Sequence, residues 1–306
     1  MKFKTEQKIF QIGATKMGGQ PGELPTVLIG NVFYKGMPEV TDHKRGRFDS
    51  KKVIEWIRIA EELSQKTGVP HFLDIMAMHP EAMKRYIQFA IEHSESVILI
   101  DGADSETRFA GLEIAKELGL QKKVIFNAIF PKMPWEELDV VRESNVDTAI
   151  LLAQNEVDYS PEGRVTALKG FDDQIGLLEM AKKAGIKKIL VDTIVFDVPS
   201  IAYAAEAVKI VKDELGYPAG CSPANATYDW KTSKDKLLKE GFAACNASAH
   251  ALVQFSGANF LIYGPIKQAK NLIPACAIND AIIAYYASRR LGTKPLVSTH
   301  PLYKIF

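Results

Sequence analysis

The sequence predicts an α/β protein of the (β/α)8 TIM-barrel class. Eight short apolar runs recur along the chain, and segments with helical periodicity lie between them. Most runs are nearly continuous Val, Ile, Leu and Phe, as expected for parallel strands that are covered on both sides. Each run also finishes on a hydrogen-bonding side chain, which is how the strand ends of such a barrel build a binding site.

The eight predicted strands each end at a polar residue. In a parallel barrel all these ends meet at one face, although the residues lie far apart in sequence. The pattern therefore favours a polar small-molecule pocket, and with it an enzyme. In order, the runs are TVLIGN, PHFLD, VILID, VIFN, AILLAQN, ILVD, AGCSPAN and NFLIY, ending at Asn31, Asp74, Asp101, Asn127, Gln154 with Asn155, Asp192, Asn225 and Tyr263.

The segments between the strands carry apolar residues at helical spacing. In SIAYAAEAVKIVKDELG, Ser200 precedes the apolar face as an N-cap and Gly216 follows it as a C-terminal stop. The last helix contains IPACAINDAIIAYYA and is apolar on more than one face. It therefore either packs deeply or contacts a second subunit, and we carry a homodimer forward as an expectation. This last helix is predicted at 266–291, and the other helices near 51–67, 80–93, 105–119, 135–143, 171–184 and 231–256 with a break at Gly241.

Length and composition fit one globular domain. The chain has 306 residues, 47% hydrophobic and 25% charged, and its net charge of +1 gives no reason to expect a nucleic-acid partner. We predict a single domain over 1–306, with an N-terminal cap at 1–25, the barrel at 26–291 and a C-terminal tail at 292–306. MKFKTEQKIF lacks a signal-peptide core and no segment is apolar enough to insert in a membrane, so a cytoplasmic location is expected.

Several kinds of site are disfavoured by the residues that are missing. Cys221, Cys245 and Cys276 form no CxxC pair, so we expect three reduced thiols and no structural zinc. His71 and His79 do not form the His-x-His pair of a metal-dependent hydrolase, and no bound metal is expected. A Schiff-base aldolase is disfavoured because every lysine near a strand lies at the strand's start. These lysines are Lys122, Lys123, Lys187 and Lys188.

Five of the strand-end residues form a stronger pattern together than separately. Any one of them is more often a helix N-cap or a turn residue than a ligand group. Carboxylates accept from amidine-like N–H edges, and Asn both donates and accepts, so the combined set suits a neutral heterocycle. The five are Asp74, Asp101, Asn127, Asp192 and Asn225.

Two further segments have alternative interpretations. The Gly264–Pro265 turn, with Lys267 nearby, has the features of a weak phosphate site, although a simple turn is the preferred explanation. Residues 154–168 are predicted to form a longer loop after the fifth strand. It either covers the pocket and meets a partner protein or is a passive surface loop.

Five long segments resemble the H-subunit family of tetrahydromethanopterin S-methyltransferase, and they span nearly the whole chain. This family is similar to dihydropteroate synthases and to the folate modules of cobalamin-dependent methionine synthases. It includes bacterial members that look like methylcorrinoid:tetrahydrofolate methyltransferases of methylamine or glycine betaine demethylation. The segments are GGQPGELPTVLIGNVFY (18–34), GRFD (46–49), LIDGADSETRFAG (99–111), GCSPANATYDWK (220–231) and LIYGPIKQAKNLIPACAINDAI (261–282).

The resemblance implies a TIM barrel of the pterin-binding methyltransferase type and assigns roles to the strand ends. Asp192 corresponds to an Asp that binds the amino-pyrimidinone edge of the pterin. Asp74 and Asn127 occupy strand ends that usually hold the pterin ring. Asn225 aligns with the Asn that approaches N5, the atom that gives or receives the methyl group, so Asn225 and Asp192 are the implied catalytic residues. Second choices for the ring are Asp101 and Asn31.

The implied reaction moves a methyl group between a methylcorrinoid and N5 of tetrahydrofolate. Tetrahydrofolate is favoured because SPANATYDW departs from the archaeal protein; tetrahydromethanopterin, or a non-catalytic pterin-binding subunit of a methyltransferase complex, is the alternative. The chain has no DxHxxG cobalamin sequence, so the corrinoid is expected on free methylcobalamin or, preferably, a separate corrinoid protein. A dihydropteroate synthase-like transferase is disfavoured because SPAN and LIYG supply no basic residues on the late strands.

Overall fold

Eight strands of the computed structural model close into one parallel barrel, which confirms the predicted fold class. The structure describes residues 2–171, 174–231 and 235–306. Shorter strands form antiparallel pairs outside the barrel. In chain order the strands are β1 (Ile9–Ile12), β2 (Thr15–Gly18), β3 (Val27–Val32), β4 (Val40–Asp42), β5 (Arg47–Phe48), β6 (His71–Ala77), β7 (Ile98–Gly102), β8 (Val124–Ile129), β9 (Thr148–Leu152), β10 (Gly170–Phe171), β11 (Gln174–Ile175), β12 (Lys188–Asp192), β13 (Ala219–Cys221) and β14 (Phe260–Pro265).

Helices connect the successive barrel strands, which run in the order β3-β6-β7-β8-β9-β12-β13-β14 until β14 pairs with β3. A 3-10 turn at Ile266–Gln268 follows β14, and a π-helical segment at Ala287–Leu291 ends the last long helix. The helices are α1 (Ser50–Thr67), α2 (Pro80–His93), α3 (Ser105–Glu117), α4 (Trp135–Ser144), α5 (Pro161–Lys169), α6 (Leu177–Lys183), α7 (Ser200–Leu215), α8 (Ala224–Lys231), α9 (Lys236–Glu240), α10 (Phe242–Phe255), α11 (Ala269–Tyr286) and α12 (Pro301–Lys304).

Helix α1 shows how local sequence sets an element's ends. The Asp49 side chain accepts the backbone N–H of Lys52 at 3.2 Å and so caps the first turn. Gly68, with φ of 80°, adopts the left-handed conformation that ends the helix. Between them Val53 and Ile57 are buried against the barrel on one face. The predicted helix at 51–67 is therefore confirmed to within one residue.

Alternate residues of each barrel strand point to opposite sides of the sheet. Ile29 and Phe72 belong to the interior apolar cluster, whereas Leu28 and Leu73 belong to the larger cluster beneath the helices. Asn31 and the residues equivalent to it lie two positions beyond an interior residue, so they also face inward. The strand period therefore decides which strand-end side chains reach the mouth of the barrel.

The hairpin β1–β2 packs against the end of the barrel opposite this mouth. Ile12 and Met17 are fully buried within the interior cluster of the barrel. The Lys212 ammonium of α7 donates to the Gly19 carbonyl at 3.0 Å and to Asn259 Oδ1 at 2.6 Å. Burial lowers the pKa of Lys212 to about 7. These contacts tie the N-terminal hairpin to the barrel, while the division into cap, barrel and tail stays a prediction.

The region after β9 differs most from the sequence prediction. Residues 161–168, predicted as loop, belong to α5, because the Ser160 hydroxyl accepts the Gly163 N–H at 3.0 Å and Pro161 occupies the first turn. The helix predicted at 171–184 is only α6, strands β10 and β11 precede it, and residues 172–173 lie outside the described ranges. Gly170 has φ of 86°, and a side chain at Gly176 would lie 2.5 Å from a backbone oxygen, so this stretch turns sharply.

The segment after β13 also differs from the prediction. The seventh strand ends at Cys221, four residues before the expected Asn225, and α8 begins at Ala224. The helix predicted at 231–256 with a break at Gly241 is divided at that residue into α9 and α10, as expected, and residues 232–234 within it lie outside the described part of the chain. Among the residues that the structure describes, no helix is both long enough and apolar enough to cross a membrane.

Candidate functional site

Two acidic side chains on neighbouring strands face the mouth of the barrel. Asp74 of β6 is 1% exposed, and Asp101 lies beside it on β7. Burial, and then the charge of Asp101, raise the pKa of Asp74 well above its ordinary value. Burial also raises the pKa of Asp101 to about 6, against the opposing charge of Arg108. Like charges this close disfavour double ionisation, so Asp74 is the carboxyl group of this pair that is held more strongly in its protonated form.

Amides flank the two carboxyl groups on both sides. Asn127 of β8 pairs in register with Asp101, and its Nδ2 donates weakly to Asp74 Oδ1 at 3.5 Å. Asn31 of β3 pairs in register with Asp74. Asn31 Nδ2 contacts the sulfur of Met76 at 2.9 Å, and its buried Oδ1 has no hydrogen-bond partner among the described residues. Buried polar atoms without partners are uncommon in proteins, so the Asn31 oxygen is suited to a ligand donor.

Asp192 closes the ring of inward-facing groups from the last position of β12. It is 6% exposed, and its Oδ1 accepts the Ile194 N–H at 2.7 Å. Burial raises the pKa of Asp192 to about 6, while that N–H and the charge of Arg164 act in the opposite direction. No described residue donates to the second oxygen, Oδ2. Asp192 therefore presents a buried acceptor that a ligand with N–H groups could use.

Arg164 is a residue that the sequence analysis missed. It lies on α5, inside the stretch predicted as loop, and it is 1% exposed. Its two Nη atoms have no hydrogen-bond partner within the described ranges. Burial lowers its pKa, whereas the neighbouring Cys221 and Asp192 act to raise it. In the sequence, this arginine stands beside the apolar positions of GRVTALK. Amphipathic spacing alone does not distinguish a buried arginine at such a position from one on the surface.

Asn225 lies at the rim, in the first turn of α8 instead of at a strand end. Its side chain is exposed, and its Oδ1 accepts the Ser222 hydroxyl at 3.0 Å. This bond leaves Asn225 Nδ2 free to donate. Asn225 and Asn31 line the same open cavity of about 420 Å³, so the structure brings the rim amide close to the barrel mouth.

Two of the remaining strand-end candidates, Asn155 and Tyr263, do not reach this site. Asn155 fixes the loop after β9: its Nδ2 donates to the Gly163 carbonyl at 3.1 Å, and its Oδ1 accepts two backbone N–H groups. Tyr263 points away from the mouth and lies beneath the helices, where its hydroxyl is 2.7 Å from His71 Nε2. Gln154 is part of the same post-β9 loop.

A larger groove of about 530 Å³ lies on the outer surface between α2, α3 and α4. It is lined by Lys84, Glu113 and Lys116 among others, and none of the inward-facing strand-end groups borders it. We therefore place the site at the barrel mouth, where buried and partly unpartnered polar groups converge. Among the described residues, no cluster of three or more His, Cys, Asp or Glu side chains is arranged to hold a metal ion.

A protein-family model described as Tetrahydromethanopterin S-methyltransferase MtrH subunit matches residues 5–296. The chain belongs to this family. The match confirms the resemblance inferred from the five sequence segments, and it supports methyl transfer as the reaction type. The predicted pterin contacts of individual residues stay predictions.

Two curated relatives of this MtrH-family chain match along its whole length. The H subunit of tetrahydromethanopterin S-methyltransferase from Methanothermobacter thermautotrophicus is 36% identical over 309 residues, which cover 99% of each chain. A protein of Methanosarcina barkeri, described as the H subunit of the putative methyltransferase mtx, is 35% identical and covers 98% of each chain.

Solved structures with the same architecture include dihydropteroate synthases. The enzyme of Xanthomonas albilineans, solved with indole-2-carboxylic acid and 6-chloroguanine, superposes with a TM-score of 0.61 at 17% identity. The match covers 90% of this MtrH-family chain and 98% of the synthase. At this identity the likeness establishes a shared barrel fold and nothing about the reaction.

Proposed function

We propose that this protein transfers a methyl group between a methylcorrinoid and N5 of tetrahydromethanopterin. The observation that carries the proposal is the ring of inward-facing Asp and Asn side chains at the mouth of an MtrH-family barrel. The family model and the Methanothermobacter thermautotrophicus relative are named for tetrahydromethanopterin, and this supports that acceptor over the tetrahydrofolate that SPANATYDW had favoured. Tetrahydrofolate is the alternative acceptor, and a competition between the two tetrahydropterins distinguishes them.

Ring recognition follows from the charge states of the inward carboxyl groups. The amino-pyrimidinone edge of a pterin presents N–H donors, and Asp192 offers a buried acceptor for them. Each hydrogen bond to an ionised carboxylate contributes about 1.5–3 kcal/mol. A protonated Asp74 supplies one O–H donor, and the neighbouring carboxylate of Asp101 supplies acceptor oxygens. Together with Asn127 this set matches a ring that carries both donors and acceptors on its edges.

Asn225 is the proposed contact to N5. Since the Ser222 hydroxyl donates to Asn225 Oδ1, the Nδ2–H group can donate to the N5 lone pair. In the direction of N5 demethylation, the carbon–nitrogen electron pair stays on N5, N5 takes up a proton from solvent, and the bond from Asn225 stabilises the departing amine without adding a fixed charge. In the reverse direction, N5 attacks the methyl carbon, the cobalt–carbon electron pair stays on cobalt, and N5 releases its proton. The chain's contribution is alignment of donor and acceptor, which supplies on the order of 7–11 kcal/mol in favourable cases.

A separate corrinoid protein is the proposed source of the methyl group. The loops after β9 and β12 expose apolar side chains at the rim: Val157 is 91% exposed and Val198 is 52% exposed. Tyr159 and Phe196 join these loops through an edge-to-face contact with ring centroids 5.6 Å apart. An exposed apolar rim beside the mouth is suited to a docking protein that brings its own cofactor.

A homodimer is also proposed, on the apolar face shared by α10 and α11. Leu252 and Phe255 on α10 and Ile278, Ile282 and Tyr285 on α11 are each about half exposed. A face of this kind is unusual on a monomer. Light scattering of the purified protein tests it: a mass near 34 kDa, that of one chain, would contradict a homodimer.

The reaction is tested by anaerobic turnover with methylcobalamin, free or on a corrinoid protein, and each tetrahydropterin in competition. Mass spectrometry reads the N5-methyl product. We expect product from wild type and at least about 30-fold less from Asn225→Ala or Asp192→Ala, in line with loss of one charged or aligned contact. Asp139→Ala, at an exposed position of α4, is the matched control and should retain full turnover.

The outcomes separate the alternatives. Pterin binding without turnover from either methyl source would favour a non-catalytic pterin-binding subunit of a methyltransferase complex. Absence of binding to both tetrahydropterins would refute the proposed function. Preferred methylation of tetrahydrofolate would reverse the choice of acceptor while leaving the reaction class unchanged.

A further inference from the structure

The rim cavity extends beyond Asn225 toward a part of the barrel that the proposed ring contacts do not use. Besides Asn31 and Asn225 it is lined by Tyr34, Tyr228, Lys231 and Lys267. The ring contacts lie on β6, β7, β8 and β12. This second group comes instead from the segments after β3, β13 and β14.

The two lysines give this part of the cavity a positive charge. Both are half-buried, and neither forms an ion pair with a carboxylate of the described residues. The Lys231 ammonium lies 4.9 Å from the centre of the Tyr228 ring and 5.4 Å from that of Phe242. Burial, and then the charge of Lys267, lower the pKa of Lys231. Two cations facing one cavity favour an anionic ligand.

The Gly264–Pro265 turn shapes one wall of this cavity. Gly264 has φ of 76°, and a side chain there would lie 3.1 Å from Ala224 Cβ and 3.4 Å from the Tyr228 ring. The glycine therefore lets α8 approach β14 closely and seats Tyr228 on the cavity wall. Lys267 follows in the next turn, so one short segment places both an aromatic wall and a cation.

The chemistry of tetrahydropterins connects this cavity to the reacting atom. The ring carbon that carries the tail is bonded directly to N5, so the tail leaves the ring one bond from the methyl-transfer position. Asn225, the proposed N5 contact, lines the cavity itself. A ring held with N5 at Asn225 therefore directs its tail toward Tyr34, Tyr228 and the two lysines.

Resting on the proposed function, we propose that Lys231 and Lys267, with the Tyr34 and Tyr228 rings, form a subsite for the aryl and anionic tail of the tetrahydropterin. The rings pack against the arylamine portion, and the ammonium groups pair with the anionic end. The shared chemistry is an aryl group followed by anions: carboxylates in tetrahydrofolate, and a phosphodiester with carboxylates in tetrahydromethanopterin. SPAN and LIYG contain no basic residue, and these two lysines lie just beyond them in the sequence.

The test compares ligands with and without the tail. Calorimetry under anaerobic conditions measures Kd for 6-methyltetrahydropterin, which has only the ring, and for tetrahydrofolate and tetrahydromethanopterin. In Lys231→Gln and in Lys267→Gln, Kd for the full-length ligands should rise about 3- to 10-fold. This loss is larger than that expected for an exposed ion pair and smaller than that for a fully desolvated one, because both lysines are half-buried. Kd for 6-methyltetrahydropterin should stay within about 2-fold. A larger rise for tetrahydromethanopterin would identify the phosphodiester as the main anion.

Lys270→Gln is the matched control, because Lys270 is exposed on the same segment and does not line the cavity. Thermal melts confirm that every variant is folded. If a variant that carries both Lys231→Gln and Lys267→Gln binds both full-length ligands as wild type does, the tail subsite is overturned while the ring site and the proposed function stand. Failure of wild type to bind even 6-methyltetrahydropterin would overturn the proposed function and the subsite with it.

Discussion

Replacing Asp192 with Asn should stabilise the ligand-free protein while it weakens pterin binding. The carboxyl group is 6% exposed, and burial is the main cause that raises its pKa from 3.8 to about 6. One pKa unit corresponds to about 1.36 kcal/mol, so keeping Asp192 ionised in the folded protein costs about 3 kcal/mol. The barrel bears this cost in the absence of a ligand that could pair with the charge.

The effect of Asp192 on the free energy of unfolding changes with pH in one direction. Because the folded pKa is raised, the stability contribution of Asp192 is complete below pH 3.8 and is lost as the pH rises through about 6. Asn cannot ionise, and its oxygen can still accept the Ile194 N–H. The variant's advantage should therefore grow from pH 4 and level off above pH 6. Removing the charge beside Arg164 offsets part of the gain, so about 3 kcal/mol is its upper limit.

Urea denaturation at pH 5 and pH 8 measures this difference. The free energy of unfolding of Asp192→Asn, relative to wild type, should be higher at pH 8 than at pH 5 by about 1.4 kcal/mol, the linkage expected for one pH unit. Asp139→Asn, on the exposed face of α4, should show no such change. An equal effect at both pH values, or a variant less stable than wild type at pH 8, would refute the reasoning.

Three other substitutions test separate features of the structure. Asp74→Asn should raise the melting temperature more at pH 8 than at pH 5, because burial and the charge of Asp101 disfavour the ionised carboxylate; a larger gain at pH 5 would contradict this. Tyr263→Phe should cost about 1–3 kcal/mol by leaving the buried His71 nitrogen unpartnered, with no change in pterin Kd by calorimetry; altered pterin binding would place the pair in the site. Gly264→Ala should lower unfolding free energy by about 1–2 kcal/mol, since φ is 76° and the new carbon would crowd Ala224. A variant as stable as wild type would show that this turn relaxes freely.

The sequence predicts where along a strand its last polar residue lies. It does not always predict whether that side chain faces the barrel interior or the surrounding helices. Asn31 and Asp74 follow interior residues by two positions and face inward. Tyr263 also ends an apolar run, yet it follows the interior residue Ile262 by one position and so faces outward. Strands covered on both sides are apolar at every position, so their sequence does not mark the inward side.

The polar groups contributed by helices and loops were harder to predict. Arg164 is brought near Asp192 because Ser160 starts α5 early, and an isolated N-cap is a weak sign of a helix. Lys231 and Lys267 approach one another only after α8 packs over β14. Contacts of this kind depend on how elements pack in three dimensions, which local periodicity does not report.

The two arcs of the barrel mouth are built from segments that share no residue. One arc comprises the acids and amides of β6 to β8 and β12, and the other comprises the lysines and tyrosines that follow β3, β13 and β14. Substitutions can therefore accumulate on one arc without disturbing the other. In evolutionary terms, a lineage that keeps Asn225 could exchange one carrier's tail for another's by changes at the C-terminal end of α8 and in the turn after β14, and inherit the methyl chemistry intact.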